Sequence, residues 1–172
     1  MTDESTIPSR TFLIRDPEEA NQLNHHNSFL FWISRLNTVL QDGFNQQLAH
    51  YDITWPQWLV VNVLSQGIAG TPAQIAQHLG VDRSAITRLL DRLERKQFVE
   101  RIHDKLDRRS VNVVLTPQGD NMVRKMNIEA YKYQQQFLTD LHRSERRGLK
   151  GELQKMLRTA GIDTFEQWRR AD

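Results

Sequence analysis

The chain has 172 residues, 38% of them hydrophobic, which suits one compact domain with helical extensions. It has no cysteine, so disulfide scaffolds, thiolate zinc sites and thiol-oxidation sensing are excluded, and a reducing cytoplasm is the expected location. A net charge of +2 rules out general cationic stickiness, no apolar run approaches the roughly 20 residues of a membrane helix, and MTDESTIPSR lacks the basic-then-apolar order of a signal peptide.

Residues 1–27 read as a polar arm with a small apolar patch at Phe12, Leu13 and Ile14. Asp16-Pro17-Glu18-Glu19 has the chemistry of a helix start, and a short helix is expected to run to about His26. Ser28–His50 is the first long helix, with Phe29, Ile33, Leu36, Leu40, Phe44 and Leu48 on one stripe and Trp32 and Val39 widening it. Thr54–Gln66 follows. Its Thr54-Trp55-Pro56-Gln57 start is a capping box, and Trp58, Leu59, Val61, Val63 and Leu64 make it apolar nearly all round, as a central helix would be.

Thr71–Gln97 reads as two helices joined by a tight turn. Thr71, Pro72 and Gln74 open the first, whose buried stripe is Ile75, Ala76 and Leu79; Gly80 ends it where a positive φ is cheap. Asp82 or Ser84 caps the second, with Ile86, Leu89, Leu90 and Leu93 inward; Val81 and Ile86 are expected to plug the angle between the two. The outward face of the second helix carries Arg83, Ser84, Thr87, Arg88, Asp91, Arg92 and Arg95. Short hydroxyls near the N-terminus and arginines able to take guanine or phosphate are what a helix in the major groove needs. The plainer alternative is an amphipathic helix with its arginines on a solvated face.

Phe98–His103 and Ser110–Leu115 read as two strands around the charged tip Asp104–Arg109. A helix-turn-helix followed at once by a β-hairpin with a basic tip is a winged helix, whose wing can place an arginine in the adjacent minor groove. Thr116 and Pro117 then start a long helix expected to reach about Leu141, with Val123, Met126, Ala130, Tyr133, Phe137 and Leu141 stepping by three and four. Ser144 is expected to cap a further helix carrying Leu149, Leu153, Met156, Leu157 and Ala160, and a terminal turn over Asp163–Arg170 keeps Phe165 and Trp168 for packing.

The expected fold is mainly α with a small β wing. It comprises an arm (1–27), a winged helix-turn-helix module (54–115) and helices at 28–53 and 116–172. These flanking helices carry more apolar stripe than one small domain needs, and so form a dimerisation region. A monomer with internally packed helices is the alternative.

The run RLLDRLERKQFVERIHDKLDRRSVNVVLTPQG (Arg88–Gly119) resembles the MarR family of bacterial transcriptional regulators. The matching marks are LDRLE closing the recognition helix, the wing motif Asp107-x-Arg109, and LTPQG opening the next helix; the similarity extends from Ser28 to Ala160. The wing motif with LTPQG is specific to the family, whereas the helix-turn-helix alone is not. One departure is Gln97, where glycine is common. The resemblance implies a cytoplasmic homodimer that binds double-stranded DNA. Two-fold symmetry would set its recognition helices about 34 Å apart on an inverted-repeat operator. It implies repression relieved by a small, often aromatic, acid.

On this reading Arg88, with Ser84 and Thr87, meets bases, while Arg83, Arg92 and Arg95 meet phosphates. In the wing set Asp107, Arg108 and Arg109, Arg109 enters the minor groove, the family motif implies that Asp107 orients it, and Arg108 reaches phosphate. Candidate walls of an effector cleft are Trp32, Leu36, His50, Tyr51, Trp55, Trp58 and Arg101, since aromatic walls and a cation suit an aromatic carboxylate; taken singly, each aromatic also reads as core. The histidines at 25, 26, 50, 78, 103 and 142 are scattered and form no ligand pair, so no metal or other cofactor is expected. No phosphate loop or nucleophile elbow is present, so no enzyme is expected. The rival from another class is a winged-helix protein-interaction module that reads no DNA.

Overall fold

The computed structural model describes residues 28–103 and 111–162. The elements are α1 (Phe29–Leu48), a 3-10 turn (Ala49–Tyr51), α2 (Trp55–Ser65), α3 (Pro72–Leu79), α4 (Arg83–Arg95), β1 (Val99–His103), β2 (Val111–Leu115), α5 (Pro117–Leu138) and α6 (Arg143–Thr159). The expected arm, the helix at 16–26, the wing tip and the terminal turn with Phe165 and Trp168 lie outside the described residues. The chain divides into two compact units, 1–43 and 44–172, the boundary falling within α1. All packing described below belongs to the second.

Helix α2 is the central element, packed against α3, α4, α5 and β2. Val60, Val61 and Val63 are buried there, and Gln57 is buried because its Oε1 accepts the Thr54 N–H at 3.1 Å in the expected capping box. Around α2 the core is Phe44, Leu48, Ile53, Ile75, Ile86, Leu90, Leu93, Phe98, Val99, Val113, Val123 and Met126. A polar tie joins α2 to α5: Asn127 Oδ1 accepts from Trp58 Nε1 at 3.2 Å and from Asn62 Nδ2 at 2.8 Å. A half-buried amide oxygen satisfied twice fixes the rotation of α5 in a way apolar packing alone does not.

Helix α1 stops at Leu48, short of the expected His50, because residues 49–51 tighten into the 3-10 turn. Helix α5 likewise stops at Leu138 rather than Leu141. The N-cap of α6 is His142, not Ser144: the His142 N–H donates to Glu145 Oε2 at 2.6 Å, which fixes the start two residues earlier.

Candidate nucleic-acid interface

The interface is built from local chemistry first. At the start of α3, Gln74 N–H donates to Thr71 Oγ1 at 3.2 Å, while Gln74 Oε1 accepts from Thr71 and Gly70 N–H groups, both at 3.1 Å. Pro72 has no N–H, so three donors would otherwise be orphans at this end, and two of them, on Thr71 and Gln74, are satisfied by side chains. At the far end Gly80 takes φ 65°, and the Gly80 and Val81 N–H groups donate to Gln77 and Ala76 carbonyls. The chain turns there without a Cβ penalty. Asp82 occupies the N-cap position of α4, with no side-chain cap hydrogen bond.

Helix α4 divides cleanly. Ile86, Leu90 and Leu93 are 0% exposed, whereas Arg83, Ser84, Thr87, Arg88, Asp91, Arg92 and Arg95 are all exposed. Val81 is 45% exposed, so Ile86 alone of the expected pair plugs the angle between α3 and α4. The Val81 backbone is committed to the turn, and this carries its side chain outward. Thr87 Oγ1 donates back to the Arg83 carbonyl at 3.0 Å, and Arg95 Nε to the Asp91 carbonyl at 3.3 Å. The side chains of Arg83, Arg88 and Arg92 make no hydrogen bond or ion pair to any described residue, leaving three exposed guanidiniums on α4.

The base of the wing is anchored on three sides. β1 and β2 pair antiparallel from Val99↔Leu115 to His103↔Val111. The Val113 N–H donates to the Gly70 carbonyl at 2.7 Å, which ties the hairpin to the entry of α3. Thr116 N–H donates to the Phe98 carbonyl at 3.1 Å, and Thr116 Oγ1 donates to the Gln97 carbonyl at 2.6 Å. Asp107, Arg108 and Arg109 belong to residues 104–110, outside the described residues.

Gln97 settles the departure noted in the sequence. It takes φ 59°, its N–H donates to the Glu94 carbonyl at 2.8 Å and the Phe98 N–H to the Leu93 carbonyl at 3.0 Å. The left-handed turn that glycine usually makes is present with glutamine in its place, closed by contact between the buried Leu93 and Phe98.

Three close approaches around α4 and the turn that follows it had no clear sequence signal. Arg101 on β1 pairs with Asp91 at 2.6 Å and Glu94 at 2.5 Å. Lys96 pairs with Asp52 at 2.9 Å and also bonds the Asp52 carbonyl, linking the end of α4 to the corner before α2. A lysine in a last helical turn ordinarily reads as a complement to the helix dipole, which hides a specific partner 44 residues away. The third is Gly119, whose place in LTPQG was visible although its neighbour was not.

The seven expected effector-wall residues separate. Trp32 and Leu36 belong to the first unit. Trp55 and Trp58 pack edge-on against Phe44, with centroids 5.8 and 5.0 Å away. Tyr133 stacks on the same ring at 5.5 Å. His50 and Tyr51 line an open cleft of about 570 Å³, with Gln47 and the α5 residues Glu129, Lys132, Tyr133 and Gln136.

Residues 53–111 match the sequence model described as the MarR family. The fold is similar to that of a mutant Escherichia coli MarR complexed with operator DNA, with 31% identity and a TM-score of 0.68; the match covers 73% of this chain and 91% of that one. The chain belongs to the MarR family. Staphylococcus aureus MepR in complex with DNA is similar at 26% identity and a TM-score of 0.71, covering 77% of this chain and 98% of that one. Among curated MarR-like proteins, the HTH-type transcriptional regulator TtmR of Methylorubrum extorquens is 35% identical over 49% of this chain and 44% of its own length. The multiple antibiotic resistance protein MarR of Escherichia coli K12 is 40% identical over 44% of this chain and 52% of its own length. The match thus spans about half of each of these two curated relatives.

Proposed function

We propose that the chain is a homodimeric, sequence-specific regulator that binds double-stranded DNA and acts as a repressor. The observation that carries this reading is the exposed surface of α4: three arginine side chains with no partner among the described residues, and two hydroxyls, beside a fully buried stripe. A protein-interaction module would present an apolar patch there instead. Arg88, Ser84 and Thr87 are assigned to bases, Arg83, Arg92 and Arg95 to phosphates, and Asp107, Arg108 and Arg109 to the wing's contacts. Similarity to MarR and MepR structures solved with DNA supports the DNA-binding reading.

Two copies would meet through the apolar face of α5 and α6 and read an inverted repeat. A small ligand, an aromatic acid being the first to test, is proposed to release the DNA. The cleft lined by His50 and Tyr51 supports this, because Tyr51 adjoins Asp52, which Lys96 ties to the end of α4. The deciding experiment is selection of random duplexes by the wild-type protein, followed by binding measurements with Arg88→Ala. The expected result is an enriched inverted repeat, with preference at one base pair per half-site relaxed by about 1–3 kcal/mol in the variant. Enrichment of no sequence would overturn the regulator reading. A gel-shift series in which no aromatic acid alters operator affinity would overturn the ligand.

A further inference from the structure

Arg101 starts on β1 yet its guanidinium is spent on α4. Nη1 donates to Glu94 Oε2 at 2.5 Å, Nη2 donates to Asp91 Oδ1 at 2.6 Å, and Nη2 also lies 3.4 Å from the Thr87 carbonyl oxygen. The Arg101 backbone N–H donates to the other Glu94 oxygen at 3.2 Å, so that carboxylate is gripped twice. Three successive positions along α4, at 87, 91 and 94, are therefore referred to one point on the hairpin. The Arg101 side chain is only 23% exposed, whereas Asp91 is 52% exposed.

A planar fork with donors at fixed angles can hold two carboxylates and a carbonyl at once; an ammonium group cannot impose that geometry. The pairing also has an electrostatic effect. Asp91 lies on the same exposed face as Arg88, Arg92 and Arg95, and Arg101 is the cation that offsets it there.

We propose that Arg101 is a positioning residue for DNA readout: it sets the rotation of the hairpin against the recognition helix and neutralises the acids beside the arginine face. This rests on the DNA-binding reading above. It also reassigns Arg101 from the effector wall, because a ligand carboxylate would have to displace two carboxylates already in place.

The test is Arg101→Lys, which keeps the charge and loses the fork, measured on the selected operator and on random duplex together with hydroxyl-radical footprints and thermal melts. The expected result is a melting temperature close to wild type and an operator-to-random affinity ratio reduced about tenfold. Protections at the flanks of each half-site should be lost while those centred on the recognition helix persist. Asp91→Asn, at an exposed position, should reproduce the flank loss in milder form and serves if the lysine variant melts early. A wild-type ratio and footprint in both variants overturns the proposal, as does a ratio that falls only in step with melting. A wild-type chain that prefers no sequence overturns this proposal and the regulator reading together. Wild-type preference beside unchanged variants overturns this one alone.

Discussion

At Gly119 the first turn of α5 lies directly on the backbone of Phe98. A Cβ there would come within 2.8 Å of the Phe98 carbonyl carbon and closer still to its oxygen. Neither side can retreat, since Phe98 O accepts the Thr116 N–H, and Thr116 Oγ1 accepts the Gly119 N–H at 3.0 Å while donating to Gln97 O. Gly119→Ala should therefore cost about 1–3 kcal/mol, read as a lower urea midpoint at unchanged slope. The reverse holds at Gln97. An L-residue with φ 59° carries left-handed strain of about 1–2 kcal/mol, part of which glycine would return as unfolded-chain entropy. Gln97→Gly should accordingly raise stability by a few tenths to about 1 kcal/mol, read as a higher urea midpoint at unchanged slope, and Gln97→Val should lower it.

At the scale of the element, α4 separates stability from recognition on opposite faces. Leu90 is fully buried, so Leu90→Ala should lose about 2–5 kcal/mol of stability. Arg88 is exposed and its side chain has no partner among the described residues, so Arg88→Ala should leave stability within about 0.5 kcal/mol while changing sequence preference. Arg109→Ala, in the wing, should weaken binding to all sequences and reduce the slope of log affinity against log salt by roughly one. Equal small effects of Arg88→Ala and Arg109→Ala in a salt titration would mean that the docking is assigned wrongly. The hairpin of β1 and β2 is no free appendage: Val113 is bonded to Gly70, Thr116 just after it to Gln97, and Arg101 to α4, so its base moves with the helix-turn-helix.

At the scale of the whole molecule, the unspent apolar surface matters most. Helix α6 has no buried residue, and its Leu149, Leu153, Met156 and Leu157 are 39–46% exposed. On α5, Ile128, Tyr131 and Phe137 are exposed as well. Exposed apolar side chains in this number on two helices mark surface that another chain can cover. With the proposed homodimer, Leu153→Glu should shift sedimentation toward monomer and lower operator affinity by at least about tenfold, because the second half-site then binds independently. A dimer that survives this change with operator affinity intact would place the interface elsewhere. No described helix is long and apolar enough to cross a membrane.

What the sequence by itself determined is what depends on neighbours along the chain. The capping boxes at Thr54 and Thr71, the inward stripe of α4 and its outward arginines all follow from spacings of three and four residues. They hold because a helix imposes that period wherever it forms. What only the tertiary structure decided is who meets whom across the chain. Arg101 looked like a free cation for a ligand until β1 packed beside α4 and two carboxylates took it. Trp55 and Trp58, which in sequence read either as cleft walls or as core, meet on Phe44, where Tyr133 also stacks. Lys96 found Asp52, and Phe98 fitted over Gly119. Such pairings are set by which faces of separate elements come together, and that depends on packing of the entire core rather than on any local period.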